Sequence, residues 1–150
     1  VTPQEESLLE HFEAWELPPD AIAWLLDLWR ITQTLDDVVD RDEIAPEVAQ
    51  KAIWSIFVTF PANPFYLANA AQLQPALATA VLKWEAASRA ERLGFADAKS
   101  YMWRAAYYDV LLLVVLLCQG YDSAMAKAPA VMALYGESYD EYRAEFPNHG

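Results

Sequence analysis

Histidine, cysteine and glycine are scarce in this sequence, and cations are outnumbered. The two histidines, His11 and His149, stand near opposite ends. No histidine metal motif and no Ser-His-Asp order can be built from them. The lone Cys118 excludes an internal disulfide and a cysteine-based zinc site. Its place in the apolar run Val110 to Cys118 reads as a buried small hydrophobe, not a nucleophile. Only four glycines occur, and nothing resembles Asn-Gly hairpin punctuation. Ten basic residues face 22 acidic ones, for a net charge of -12. Such a surface repels phosphate backbones and anionic lipid, so direct nucleic acid binding and membrane binding are disfavoured. The same charge suits a basic protein partner or a mimic of nucleic acid; it also serves plain solubility. The longest apolar run, VLLLVVLLC, has nine residues where a bilayer span needs about 20. The opening VTPQEESLLEHF has no basic and then apolar stretch and does not read as a signal peptide. With a single thiol, the expected compartment is the reducing cytoplasm.

Apolar residues are plentiful. They make up 55% of the chain, which argues against disorder. The tryptophans recur through most of it, at Trp15, Trp24, Trp29, Trp54, Trp84 and Trp103. That spread predicts one core built by every segment, hence a single helical domain over 1–150. Apolar positions repeat at three and four residues, and prolines fall where helices begin or break.

The pattern predicts a first helix from Pro3 to Trp15 with Thr2 as cap, and a second from Ala21 to Asp40 capped by Asp20. A third runs from Pro46 to Thr59, and FPANPF breaks it. Asn63 caps a short helix opening at Pro64. Another starts at Pro75 and ends near Leu93, before Gly94. Asp97 caps a helix running unbroken to Gln119. Tyr121 to Tyr135 follows, with a kink or restart at Pro129, and Ser138 to Phe146 closes the chain. The expectation is an all-α, compact bundle of about seven mostly antiparallel helices.

The second helix carries the informative polar pattern. At about 100° per residue, Trp24, Leu28, Ile31, Leu35, Val38 and Val39 form an apolar face. A neighbouring strip, Ile22, Leu25, Trp29, Gln33, Asp36 and Asp40, starts apolar and ends in carboxylates. If its first half packs inward, its second half points into the bundle or its mouth. Asp36 and Asp40 lie one turn apart and could share Mg²⁺, a hard cation that prefers oxygen ligands. They repel each other and sit at the negative end of their helix, so something should compensate. A cation, an arginine from elsewhere or water would do so, and an exposed acidic terminus remains the plain alternative.

The string DDVVD, Asp36 to Asp40, resembles the aspartate-rich motif of class I isoprenoid synthases. In that all-helical family the motif faces a cavity and holds Mg²⁺ that binds a substrate diphosphate. The resemblance implies metal-ligand roles for Asp36, Asp40 and Asp37. It spans five residues; the family is about twice as long, and its second metal motif is absent here. Asp37 and Asp40 are also similar to one acidic pair of the all-helical nucleotide pyrophosphatases, without the matching ExxE and ExxD set.

Other polar positions complete the candidate set. Asp109 shares a helix face with Met102, Ala105, Leu113 and Leu116, where a buried carboxylate needs a partner. It reads as a hydrogen-bonded structural group or as part of the cavity of Asp36 and Asp40. Glu85 and Arg89 are placed for a surface ion pair. Alternatively, Glu85 joins Gln33 and Asp109 as an additional ligand, while Arg89, Arg92 and Arg104 grip a phosphate. Two function classes follow. One is Mg²⁺-dependent binding or turnover of a phosphorylated small molecule. The other is a non-catalytic acidic interaction protein, for example an accessory or inhibitor protein of a phage or mobile element. A homo-oligomer that buries the excess apolar area is compatible with both.

Overall fold

A computed structural model describes residues 2–147. Every regular element among them is helical. The chain is all-α, with a helix count close to the expected seven. His149 lies outside the described residues. The elements are α1 (Pro3–Ala14), α2 (Pro19–Val39), α3 (Pro46–Trp54), a π-helical turn (Ser55–Thr59), α4 (Phe60–Ala62), α5 (Pro64–Leu93), α6 (Ala98–Trp103), α7 (Tyr107–Gln119), α8 (Tyr121–Ala133) and α9 (Tyr139–Glu145). They divide into two compact units, Val1–Ala70 and Ala71–Gly150.

In the first unit, α1 starts as the sequence predicts. The Thr2 hydroxyl accepts from the Glu5 N–H, Pro3 takes the first turn, and Leu8 and Phe12 are buried. Its end is less conventional. Glu16 adopts φ 58°, the Glu16 N–H donates to Glu13, and the Leu17 N–H donates to Phe12. That is a Schellman cap in which buried Leu17 supplies the apolar contact.

Helix α2 begins earlier than expected. Pro18 is the cap residue, and Asp20 lies inside the first turn instead of capping it. Its carbonyl instead accepts from the Asn63 side chain at 2.9 Å. Trp24, Leu25, Leu28 and Ile31 are buried, and no residue of α2 beyond Ile31 is. The last two turns therefore leave the core. Leu35 and Val38, expected on the apolar face, are exposed. A second Schellman cap ends the helix. Arg41 adopts φ 60°, its N–H donates to Val38, and the Asp42 N–H donates to Asp37.

The next helix continues through the predicted break at Phe60 and ends at Asn63. Pro61 has no N–H for the carbonyl of Phe57, and its ring would clash with it in a regular helix. The wider π-helical turn just before it accommodates both defects. Residues 46–62 run antiparallel to α2. The Thr59 hydroxyl donates to Asp27 at 3.0 Å, and Phe60 stacks on Trp24. Asn63 caps the following turn through the Tyr66 N–H, as the sequence suggests.

The helix expected to start at Pro75 starts sooner. The backbone breaks at Asn69 (φ -125°, ψ 17°), and Pro75 lies inside the segment that follows. Asn69 stabilises its own kink, since its side chain donates to the Phe65 carbonyl.

The second unit is built on α7, whose Val110, Leu111, Val114 and Val115 are fully buried. The helix predicted from Asp97 to Gln119 is two helices, α6 and α7, broken at Arg104–Ala106. Asp97 caps α6 as expected, and Ser100 completes a capping box with it. Gly120 joins α7 to α8 with φ 86° and ψ -179°, a conformation essentially reserved for glycine. Cys118 is half-buried, and burial pushes its thiol pKa up, away from nucleophilic character. Ser138 caps α9. Tyr142 of α9 is buried and meets both Ser100 (2.7 Å) and Glu91 (2.8 Å) through its hydroxyl. Tyr101 stacks on Tyr135 and donates to the carbonyl of Glu137. No helix among the described residues is long and apolar enough to cross a membrane.

Candidate functional site

The aspartates of DDVVD lie where α2 has already left the core of the first unit. Asp36 is half-buried, while Gln33, Asp37 and Asp40 are exposed. The strip that starts inward at Leu25 thus ends outward, because the packing that buries Leu25 stops at Ile31. Asp42, Glu43 and Glu47 extend the carboxylates through the loop into α3 and are exposed too.

The remaining predicted residues belong to the second unit. Glu85 and Arg89 form the surface ion pair at 3.4 Å, both well exposed. Arg92 is exposed. Arg104 lies between Glu91 (3.3 Å) and Glu137 (3.6 Å), over the ring of Tyr142. Two carboxylates therefore already occupy the guanidinium that was a phosphate candidate. Asp109 is not buried. Its carboxylate accepts from Lys83, and its side chain is 58% exposed. Met102 lies on α6, beyond the break, and Leu116 on α7 is exposed, so apolar neighbours on one continuous wheel did not mean a core. Among the described residues, no three His, Cys, Asp or Glu side chains come together as a group that could hold a metal ion.

A different feature of the first unit stands out. The helix over 46–62 meets α2 through Phe60 and Thr59, yet α3 buries no residue at all. Its adjoining face carries Ile53 (56% exposed), Trp54 (61%) and Phe57 (75%), with Val58 beside them. Scattered exposed apolar residues are ordinary, but three large ones within five positions of one helix are a patch. The sequence signal was available: a helix with apolar residues on two faces has two partners to satisfy. Sequence reasoning credited Trp54, with the other tryptophans, to one core built by every segment.

Charge is distributed as unevenly as burial. The first unit holds 13 acidic and 3 basic residues, a net -10; the second holds 9 and 7, a net -2. The apolar patch and the acidic end of α2 thus share the unit that carries nearly all the charge. Comparison with known protein families, with curated proteins and with solved structures finds no match.

Proposed function

We propose that this chain is a non-catalytic acidic interaction protein that docks a partner on its first unit. The observation that carries the reading is the exposed face of Ile53, Trp54 and Phe57 on a helix that buries nothing along α3. Burying an apolar side chain of this size is worth about 1.5–3 kcal/mol, so such a face is a ready source of binding energy. The scattered, individually paired polar residues of the second unit support the same reading, since Arg104 and Asp109 already have partners. Affinity purification from the source cell, with the partner identified by mass spectrometry, tests it. A one-to-one complex that survives EDTA is expected. Loss of the complex on chelation would sink the reading.

The Mg²⁺ reading rests on Asp36 and Asp40, placed one turn apart at an accessible helix end. Its substrate would be a phosphorylated small molecule. It differs from the interaction reading in one measurable respect, a cation-dependent signal that both aspartates control.

A further inference from the structure

The partner's chemistry follows from what surrounds the apolar face. We propose that the face of Ile53, Trp54 and Phe57 takes a basic amphipathic helix of another protein, whose lysines and arginines meet the carboxylates where α2 turns into α3. This rests on the interaction reading and names the kind of partner.

Geometry sets the site's length. Residues 46–62 form a nearly continuous helical rod, about 25 Å long at 1.5 Å per residue. The apolar side chains lie towards its middle and far end. Asp37, Asp40, Asp42, Glu43 and Glu47 cluster at its start, all exposed. The antiparallel pairing of this rod with α2, fixed by Thr59 on Asp27 and Phe60 on Trp24, puts that acidic end at the turn of the hairpin. A partner helix laid along the rod places apolar side chains against Trp54 and Phe57 and cationic ones against the carboxylates. It would bind as amphipathic helices bind apolar surfaces elsewhere, through anchors at three- and four-residue spacing.

Charge selects among the occupants. A second copy would bring another net -10 against the first, which opposes self-association through this unit. Nucleic acid and anionic lipid carry the wrong sign. A neutral apolar partner would leave the carboxylates unmatched. A cationic helix satisfies both halves of the surface, and its association should be fast and sensitive to salt.

The test uses a fluorescein-labelled Leu/Lys amphipathic peptide of about 18 residues, with a scrambled Leu/Lys peptide and a Leu/Glu helix as controls. Anisotropy is read for the parent chain, Trp54→Ser/Phe57→Ser and Asp37→Asn/Asp40→Asn/Glu43→Gln. All substituted side chains are exposed, and circular dichroism checks the fold. The expected result is binding of the Leu/Lys helix alone, weakened roughly tenfold or more by the apolar pair and several-fold by the neutralised set. Equal binding of the scrambled peptide, indifference to Trp54→Ser/Phe57→Ser, or no binding overturns the proposal. A parent dimer in sedimentation that disappears with the apolar pair also overturns it, in favour of a second copy. The purified partner separates the two levels. A complex kept by Trp54→Ser/Phe57→Ser removes this face but leaves the interaction reading, whereas a parent chain without any partner removes that reading itself.

Discussion

Phe60 lies nearly flat on Trp24, with ring centroids 4.8 Å apart and planes 17° from parallel. Tyr66 stacks on the same indole at 5.9 Å and 10°. Trp24 is wholly buried, yet its indole N–H finds no acceptor among the described residues. The stack and the orphaned donor pull in opposite directions, and two substitutions separate them. Trp24→Ala removes a buried ring and should destabilise the first unit by about 3–5 kcal/mol. Trp24→Phe keeps a ring for Phe60 and Tyr66 while deleting the unsatisfied donor, whose burial costs about 1–3 kcal/mol. Its net effect should be far smaller. Urea denaturation of both variants decides the matter. Equal losses would mean that the indole nitrogen contributes a bond of its own.

Backbone conformation supplies a second prediction. Glu16 and Arg41 occupy the left-handed region in Schellman caps, where a side chain costs roughly 1–2 kcal/mol relative to glycine. Glu16→Gly and Arg41→Gly should each raise the melting temperature, with gains near 1 kcal/mol once glycine's greater unfolded entropy is deducted. Gly120 is the converse. A Cβ there would meet open space, so Gly120→Ala isolates the conformational cost, about 1–3 kcal/mol. Thermal melts of the three variants should move in these opposite directions. An unchanged Gly120→Ala melt would show that the joint between α7 and α8 can adopt another backbone.

These positions also mark what the sequence conveys. Thr2, Asn63 and Asp97 were readable as caps because a short polar side chain before an apolar-periodic run favours that role. The ends at Glu16 and Arg41 were not, because only the surrounding hydrogen bonds place a non-glycine residue there. The visible breaker, Pro75, drew the boundary towards itself and away from the break at Asn69. The divide between α6 and α7 has no proline or glycine to announce it. The candidate site divided along the same line. Periodicity showed that Asp36 and Asp40 share a side of α2, but not that packing stops at Ile31. It showed that Ile53, Trp54 and Phe57 are apolar, but not which face of their helix already has a partner.

A third prediction concerns alkaline pH. Burial pushes Tyr108 up to about 12 and raises Tyr107, Tyr135 and Tyr142 above the ordinary value near 10. At Tyr142 the hydrogen bond from Ser100 opposes this rise, while Glu91 adds to it. A raised folded-state pKa contributes stability that is fully present below about pH 10 and lost as pH climbs through the folded value, because the unfolded chain releases its protons first. Each tyrosine still protonated in the fold costs about 1.4 kcal/mol per pH unit in that window. Tyr108→Phe should cost stability at neutral pH, since it deletes the bond to the Leu134 carbonyl. That cost should shrink between about pH 10 and 12. Parallel urea titrations of parent and variant check it; a constant difference across the window would place the Tyr108 hydroxyl in contact with solvent.

The acidic end of α2 gives the last prediction, and it sets the two functional readings apart. Asp40 is the cap residue at the negative pole of its helix, and Asp36, Asp37 and Asp42 stand within a few residues of it. If this end serves a cationic partner, the Asp40 carboxylate at the negative pole of its helix is a local cost in the isolated protein. Asp40→Asn should then stabilise the free chain by about 0.3–1 kcal/mol at low ionic strength. The gain should fade as salt screens it. Calorimetric titration of Mg²⁺ and Mn²⁺ should give the same weak response for the parent and for Asp36→Ala/Asp40→Ala. A saturable parent isotherm that vanishes in the double variant would reverse this outcome. It would move the chain to the metal-dependent reading, and nucleotides and isoprenoid diphosphates would become the ligands to screen.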